Sequence, residues 1–110
     1  MVNTSPPQVV LCSDQLPTKD FIDEVLRHEL THVYDFISSK CNMYECEGLA
    51  YSEVRAARNG ECMGGIYTIP YFQKKCAMTK ANKSTYNIFP LEGPACVQRV
   101  LDKAFEDHDP

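Results

Sequence analysis

His28, Glu29 and His32 fall in the order His-Glu-Leu-Thr-His. On a helix, positions four apart lie one turn apart on the same face, so both imidazoles can reach a single divalent cation. Glu29, beside His28, reaches a water at that cation without taking up a ligand position. A zinc ion held this way lowers the pKa of the water to about 7, and a neighbouring carboxylate takes the proton. The chemistry implied is hydrolysis of a peptide bond, with the glutamic acid later passing the proton to the leaving amine. Two histidines and a glutamate at these offsets arise by chance in well under about 1% of chains this long. The plainer alternative is a pair of structural histidines on a surface helix. It must place two of the chain's three histidines in this pattern beside a glutamate.

A catalytic zinc site needs a third protein ligand and an open position. The candidates are Glu53, Asp35, Glu45, Glu47 and His108. Glu53 is favoured, because it lies far enough beyond His32 for one helix to finish and a second to return antiparallel past the metal. Ala50, Ala56 and Ala57 would let those two helices approach closely. Against this stands an exposed Glu53 paired with Arg55 or Arg58, which are poorly spaced for it. Asp35 continues the histidine helix and is expected to orient a histidine from behind rather than to bind metal. Glu45 and Glu47 lie too near a loop to be placed, and His108 reads as a frayed surface residue. Tyr51, Tyr67 and Tyr71 are each able to serve as an oxyanion donor, although core packing explains each as well.

The element that carries the motif is a helix expected over 19–38, capped by Thr18 with Asp20, Asp23 and Glu24 in its opening turns. Ile22, Leu26, Leu30, Val33 and Ile37 recur at threes and fours, which predicts its buried stripe. A loop follows from Ser38 to Cys46, then a helix over 47–58 that stops at the Asn59-Gly60 turn signal. Residues 61–70 look irregular. A third helix is expected over 71–82, a connection over 82–94, and a last helix over 94–107 opened by Pro94 and buried through Val97, Val100, Leu101, Ala104 and Phe105. Residues 1–8 read as a flexible arm before a domain over 9–110. Val9-Val10-Leu11-Cys12 reads as a strand, in need of a partner because a lone strand is marginal. The expectation is therefore a mainly α chain with a small β element (α+β), a minimal zincin-like, gluzincin-type domain with an active-site helix and a ligand helix. A bound peptide substrate extended along the strand edge is one use for that strand.

The 110 residues suit one domain. The net charge of −4 argues against nucleic acid as partner. Lys74, Lys75, Lys80 and Lys83 read as a solvated helix face. Six cysteines without a CxxC pair speak for at least two disulfides and an oxidising compartment, free buried thiols being the alternative. No apolar run is long enough to span a bilayer, no cleaved signal peptide is visible, and no helix is both basic and strongly apolar on one side.

The stretches VVLCSDQL, RHELTHVYDF, YSEVRAARNGEC and the ending FEDHDP resemble one family across most of the chain. It is the mitochondrial intermembrane-space metalloprotease family that processes an ATP synthase subunit, whose members are also called Ku-binding proteins. The resemblance implies a Zn2+ cofactor on His28, His32 and Glu53 with Glu29 as catalytic base. It implies cysteines oxidised during import and peripheral association with the inner membrane. The substrate it implies is the precursor of an ATP synthase membrane-sector subunit, whose assembly the family also assists. Relatives carry a longer segment with further cysteines before VVLCS, and the match is less clear over Gly64 to Pro90. Two other readings remain open: a non-catalytic assembly factor or chaperone on the same fold, and a disulfide-stapled interaction module without metal. Glu29 speaks against the former, and the spacing of the two histidines against the latter.

Overall fold

A computed structural model describes residues 18–108. In chain order these form α1 (Lys19–Ile37), α2 (Cys46–Asn59), a short 3-10 turn (Gly65–Thr68), α3 (Pro70–Ile88) and α4 (Gly93–Glu106). Thr18 opens α1 as expected: its backbone is extended and its Oγ1 accepts a hydrogen bond from Phe21 N–H at 3.2 Å. Pro70 and Pro94 stand in the first turns of α3 and α4, where a missing N–H leaves no gap in the ladder.

α2 is the centre of the molecule and packs against α1, α3 and α4. Its buried residues run almost without a break from Leu49 to Arg58. The apolar core lies between α2, α3 and α4 and is built from small side chains: Ala50, Val54, Ala57, Ala77, Ala81, Val97, Leu101 and Ala104. Two disulfides staple this part, Cys46–Cys96 tying α2 to α4 and Cys62–Cys76 tying the end of the α2 turn to α3. Cys41 is a buried free thiol whose pKa is pushed up to about 12, chiefly by burial and then by the charge of Asp35.

Three expectations are corrected. The mainly α chain with a small β element, of zincin-like type, is overturned: among the described residues every element is helical and there is no strand. The expected strand Val9–Cys12 and the arm 1–8 lie outside the described residues. The described segments are taken up by helices and the short connections between them, which leaves a β element no place among them.

Second, α3 does not end near Asn82 but runs to Ile88. The polar run 82–87 contains no breaker, and Ala81 and Thr85 are buried. What stops the helix is Pro90, which excludes helical backbone from Phe89 before it.

Third, the α1 stripe does not form the docking face. Leu30 and Ile37 are 56% and 72% exposed, whereas the buried residues of α1 are Thr31, His32 and Asp35. Polar partners on α2 outcompete the apolar stripe for that face.

Candidate metal centre

α1 and α2 pass each other closely because Gly60 ends α2. A Cβ there would meet His28 Cβ at 2.9 Å and Glu24 O at 3.0 Å. At this crossing His28 and His32, one turn apart on α1, face Glu53 on α2. His28 Nε2 and His32 Nε2 lie 3.2 Å apart, and Glu53 Oε1 is 3.1 Å from the latter and 3.7 Å from the former. These three are the residues whose ligand atoms gather within 4.8 Å of one another among the described residues. Glu53 is 4% exposed, so the alternative of a solvated surface glutamate fails. Arg55 and Arg58 are engaged elsewhere.

The hydrogen bonds behind the cluster fix the tautomers. Ser52 donates its hydroxyl to Asp35 Oδ2 at 2.8 Å, so it accepts from His32 Nδ1–H, also at 2.8 Å. The Glu61 carboxylate can only accept, so His28 Nδ1–H donates to Glu61 Oε1 at 2.6 Å. In the neutral rings both Nε2 atoms are then bare lone pairs, aimed with a carboxylate oxygen at one point. Three acceptors and no donor call for a cation. Two imidazoles and one carboxylate match the ligand set of a catalytic zinc site with one open position.

Without metal, a proton on His28 partly relieves this crowding. Burial opposes its charge, but the Glu61 hydrogen bond and the charges of Glu61, Glu53 and Glu29 outweigh it, and the His28 pKa is raised. Glu61 shows the complement. Burial would raise its pKa, yet the hydrogen bond and charge of His28 hold it below the usual carboxylate value.

Asp35 sits behind the histidines, as expected, but reaches His32 through Ser52 rather than directly. It is fully buried, accepts from Arg55 Nε at 3.2 Å, and has a second Arg55 nitrogen 3.0 Å from Oδ1, an ion-pair contact. Arg55 in turn lies 2.9 Å from Asp107 Oδ1, while Arg58 donates to the Phe105 and Asp107 carbonyls at 2.7 and 2.6 Å. The residues that end and follow α4 thus brace α2 through Arg55 and Arg58.

Glu29 is half-buried and lines a cleft of about 270 Å³ with Phe21, Glu24, Val25, His28 and Glu61. It stands beside the ligand group, not in it. The remaining candidates lie elsewhere. Glu45 flanks the start of α2, exposed Glu47 pairs with Arg99 at 2.7 Å, and His108 is exposed past α4. Tyr51 donates to Asp107 at 2.5 Å, Tyr67 lines a separate pocket with Phe72, and Tyr71 packs edge-on against Phe72.

The sequence reading missed Glu61, Ser52, Arg55 and Asp107. Only Glu61 carried a signal, as an acidic residue directly after the Asn59-Gly60 turn.

The model of the peptidase M76 family matches residues 2–110. The chain belongs to that family. Among curated relatives, the protein named mitochondrial inner membrane protease ATP23 homolog in Homo sapiens is 29% identical over 98% of this chain and 48% of its own length. The Xenopus laevis protein of the same name is 29% identical over 94% of this chain and 48% of its own. Mitochondrial inner membrane protease ATP23 of Lodderomyces elongisporus is 40% identical over 49% of this chain and 23% of its own. This M76 family chain therefore spans about half, or less, of the length of the relatives it matches. No solved structure matches it.

Proposed function

We propose that this chain is a zinc-dependent endopeptidase with His28, His32 and Glu53 as ligands and Glu29 as general base. The observation that carries the reading is the convergence of two imidazole Nε2 atoms, whose Nδ1 atoms are engaged by Glu61 and Ser52, and one buried carboxylate, beside a cleft that Glu29 lines. Zinc, when bound, supplies an electrophile that acidifies water and polarises a carbonyl.

The chain's own residues do the rest. Glu61 and Ser52 hold the two imidazoles by their Nδ1 protons, which keeps both Nε2 atoms available. Glu29 takes the proton from the attacking water and returns it to the amide nitrogen as the C–N bond breaks. Phe21 and Val25 give the cleft an apolar wall against which a substrate side chain can lie.

The M76 family match and the relatives' names support a mitochondrial setting at the inner membrane. The resemblance of RHELTHVYDF and YSEVRAARNGEC supports an ATP synthase membrane-sector precursor as substrate, and the intermembrane space as location. Help in assembling that subunit, independent of cleavage, is part of the same reading.

The test is a Glu29→Gln variant assayed for zinc content and for cleavage of peptide and precursor. Zinc should be retained while cleavage falls by about 10²- to 10⁴-fold, the usual contribution of an acid–base group. Full cleavage by the variant, or wild-type protein that takes up no zinc, would sink the proposal. Retained zinc with no cleavage by the wild type would turn the reading toward the assembly factor.

A further inference from the structure

Glu61 looks toward two surfaces. On one side it lines the cleft with Phe21, Val25 and Glu29. On the other, its carboxyl, opposed by burial and held low chiefly by His28, also feels the charge of Lys80 on α3. Lys80 in turn lines a second depression of about 270 Å³ with Tyr67, Phe72, Lys75, Cys76 and Thr79.

Covalent structure keeps the cleft and the depression beside each other. Cys62 follows Glu61 directly and is bonded to Cys76, their Cα atoms 5.8 Å apart. Gln73 Nε2–H donates to the Cys62 carbonyl at 2.9 Å. The seam between the two hollows is thus held by a disulfide and a hydrogen bond.

Their chemistry differs. The cleft carries Glu24, Glu29 and Glu61. The depression carries no acidic group; Tyr67 and Phe72 give it an aromatic wall, and Lys75 and Lys80 give it charge. The bias extends along the chain, which holds four lysines and no acidic residue between Glu61 and Glu92 although its net charge is −4. Lys74 pairs with Asp102, whereas Lys75 and Lys80 form no salt bridge among the described residues. Aromatic rings under two cations suit a bulky apolar side chain with a carboxylate close by.

A peptide in extended form presents side chains two positions apart to the same face. One chain leaving the cleft past Glu61 can therefore seat a bulky residue against Tyr67 and Phe72, and an acidic residue two positions away at Lys75 and Lys80. We propose that this depression is a second substrate subsite, selecting a peptide with an aromatic or large aliphatic residue and a carboxylate in that spacing. Lys75 and Lys80 then determine specificity and take no part in bond cleavage. A basic residue in place of the carboxylate is rejected by like charge. The inference rests on the peptidase reading, since its occupant is the peptide that the cleft would hold.

The probes are short fluorescein-labelled alanine–serine peptides containing Phe-Ser-Glu, Phe-Ser-Lys or Ala-Ser-Glu. Anisotropy reads their binding to the oxidised Glu29→Gln protein, so that cleavage does not interfere. Phe-Ser-Glu should bind about tenfold tighter than Ala-Ser-Glu. It should bind about fivefold tighter than Phe-Ser-Lys, a gap that narrows with salt. Adding Lys75→Glu, at an exposed residue, should invert that second preference. Adding Lys103→Glu, at a residue of α4 that lines a different pocket, should leave the order as it is. Helical circular dichroism checks that each variant is folded. Equal affinities for the three peptides, or an order that Lys75→Glu leaves untouched, overturn the proposal. So does a peptide-free dimer, seen by sedimentation, that Phe72→Ser breaks, which would give the depression to a second copy. Cleavage by the wild type is read separately. Selective binding without cleavage sinks the peptidase reading alone, and cleavage without selective binding sinks the subsite alone.

Discussion

His28 and His32 are held from behind by different means. His32 donates to Ser52, which is locked by the buried Asp35–Arg55 pair; His28 donates to Glu61 alone, a residue on a turn. The His28 ring therefore depends on a single partner. Glu61→Ala should weaken zinc affinity by about 10- to 100-fold, the usual effect of losing such a support. Glu61→Gln, whose amide oxygen still accepts from Nδ1–H, should recover most of it. A competition titration against a chromophoric chelator reads both, and equal affinities for all three proteins would remove Glu61 from the site.

At this scale the sequence was informative where spacing is local. The offset of His28 and His32 is set by helix geometry alone, and Glu53 followed from one helix returning past another. Glu61 was hidden because its position depends on how Gly60 lets the chain bend, which residue types do not reveal.

Among elements, α1 has an unusual footing. Of the described elements it packs only on α2, and its buried residues, Thr31, His32 and Asp35, are all polar. Such an interface draws little on apolar burial and much on satisfied pairs. Removing one partner of a buried ion pair like Asp35–Arg55 typically costs about 3–5 kcal/mol.

A cation held by two α1 residues and one α2 residue would tie the same seam. Stripping the metal should therefore speed amide exchange across α1 while α2 and α4 stay protected, as followed by hydrogen–deuterium exchange with and without chelator. Uniform protection in both states would contradict this. The helix itself was readable from Thr18 and its periodicity. Its orientation was not, because the stripe of Ile22, Leu26 and Leu30 obeys the rule for an apolar docking face while the polar side of the helix does the docking.

The whole molecule divides into a stapled part and an unstapled one. Cys46–Cys96 closes 50 residues and Cys62–Cys76 closes 14. From loop closure alone, replacing the first pair by serines should cost about 4 kcal/mol and the second about 3 kcal/mol. Urea denaturation of the two double variants checks the order and the size. Small core residues such as Ala77, Ala81 and Ala104 make these links matter, since a core of alanines buries little apolar surface per residue.

The count of cysteines pointed to bridges, but not to their partners, which are set only when α2, α3 and α4 come together. The helical make-up was legible from the prolines and the periodicity. The small β element was the part of the fold class that the described residues overturn, since all of their elements are helical.

The attachment of α1 by one polar side has a further consequence for the proposed enzyme. The base and both imidazoles ride on that helix, and the third ligand does not. Chelation then disarms the protein twice, by withdrawing the electrophile and by unseating the segment that bears Glu29. Recovery after adding zinc back should lag behind metal uptake by the time that segment needs to settle home.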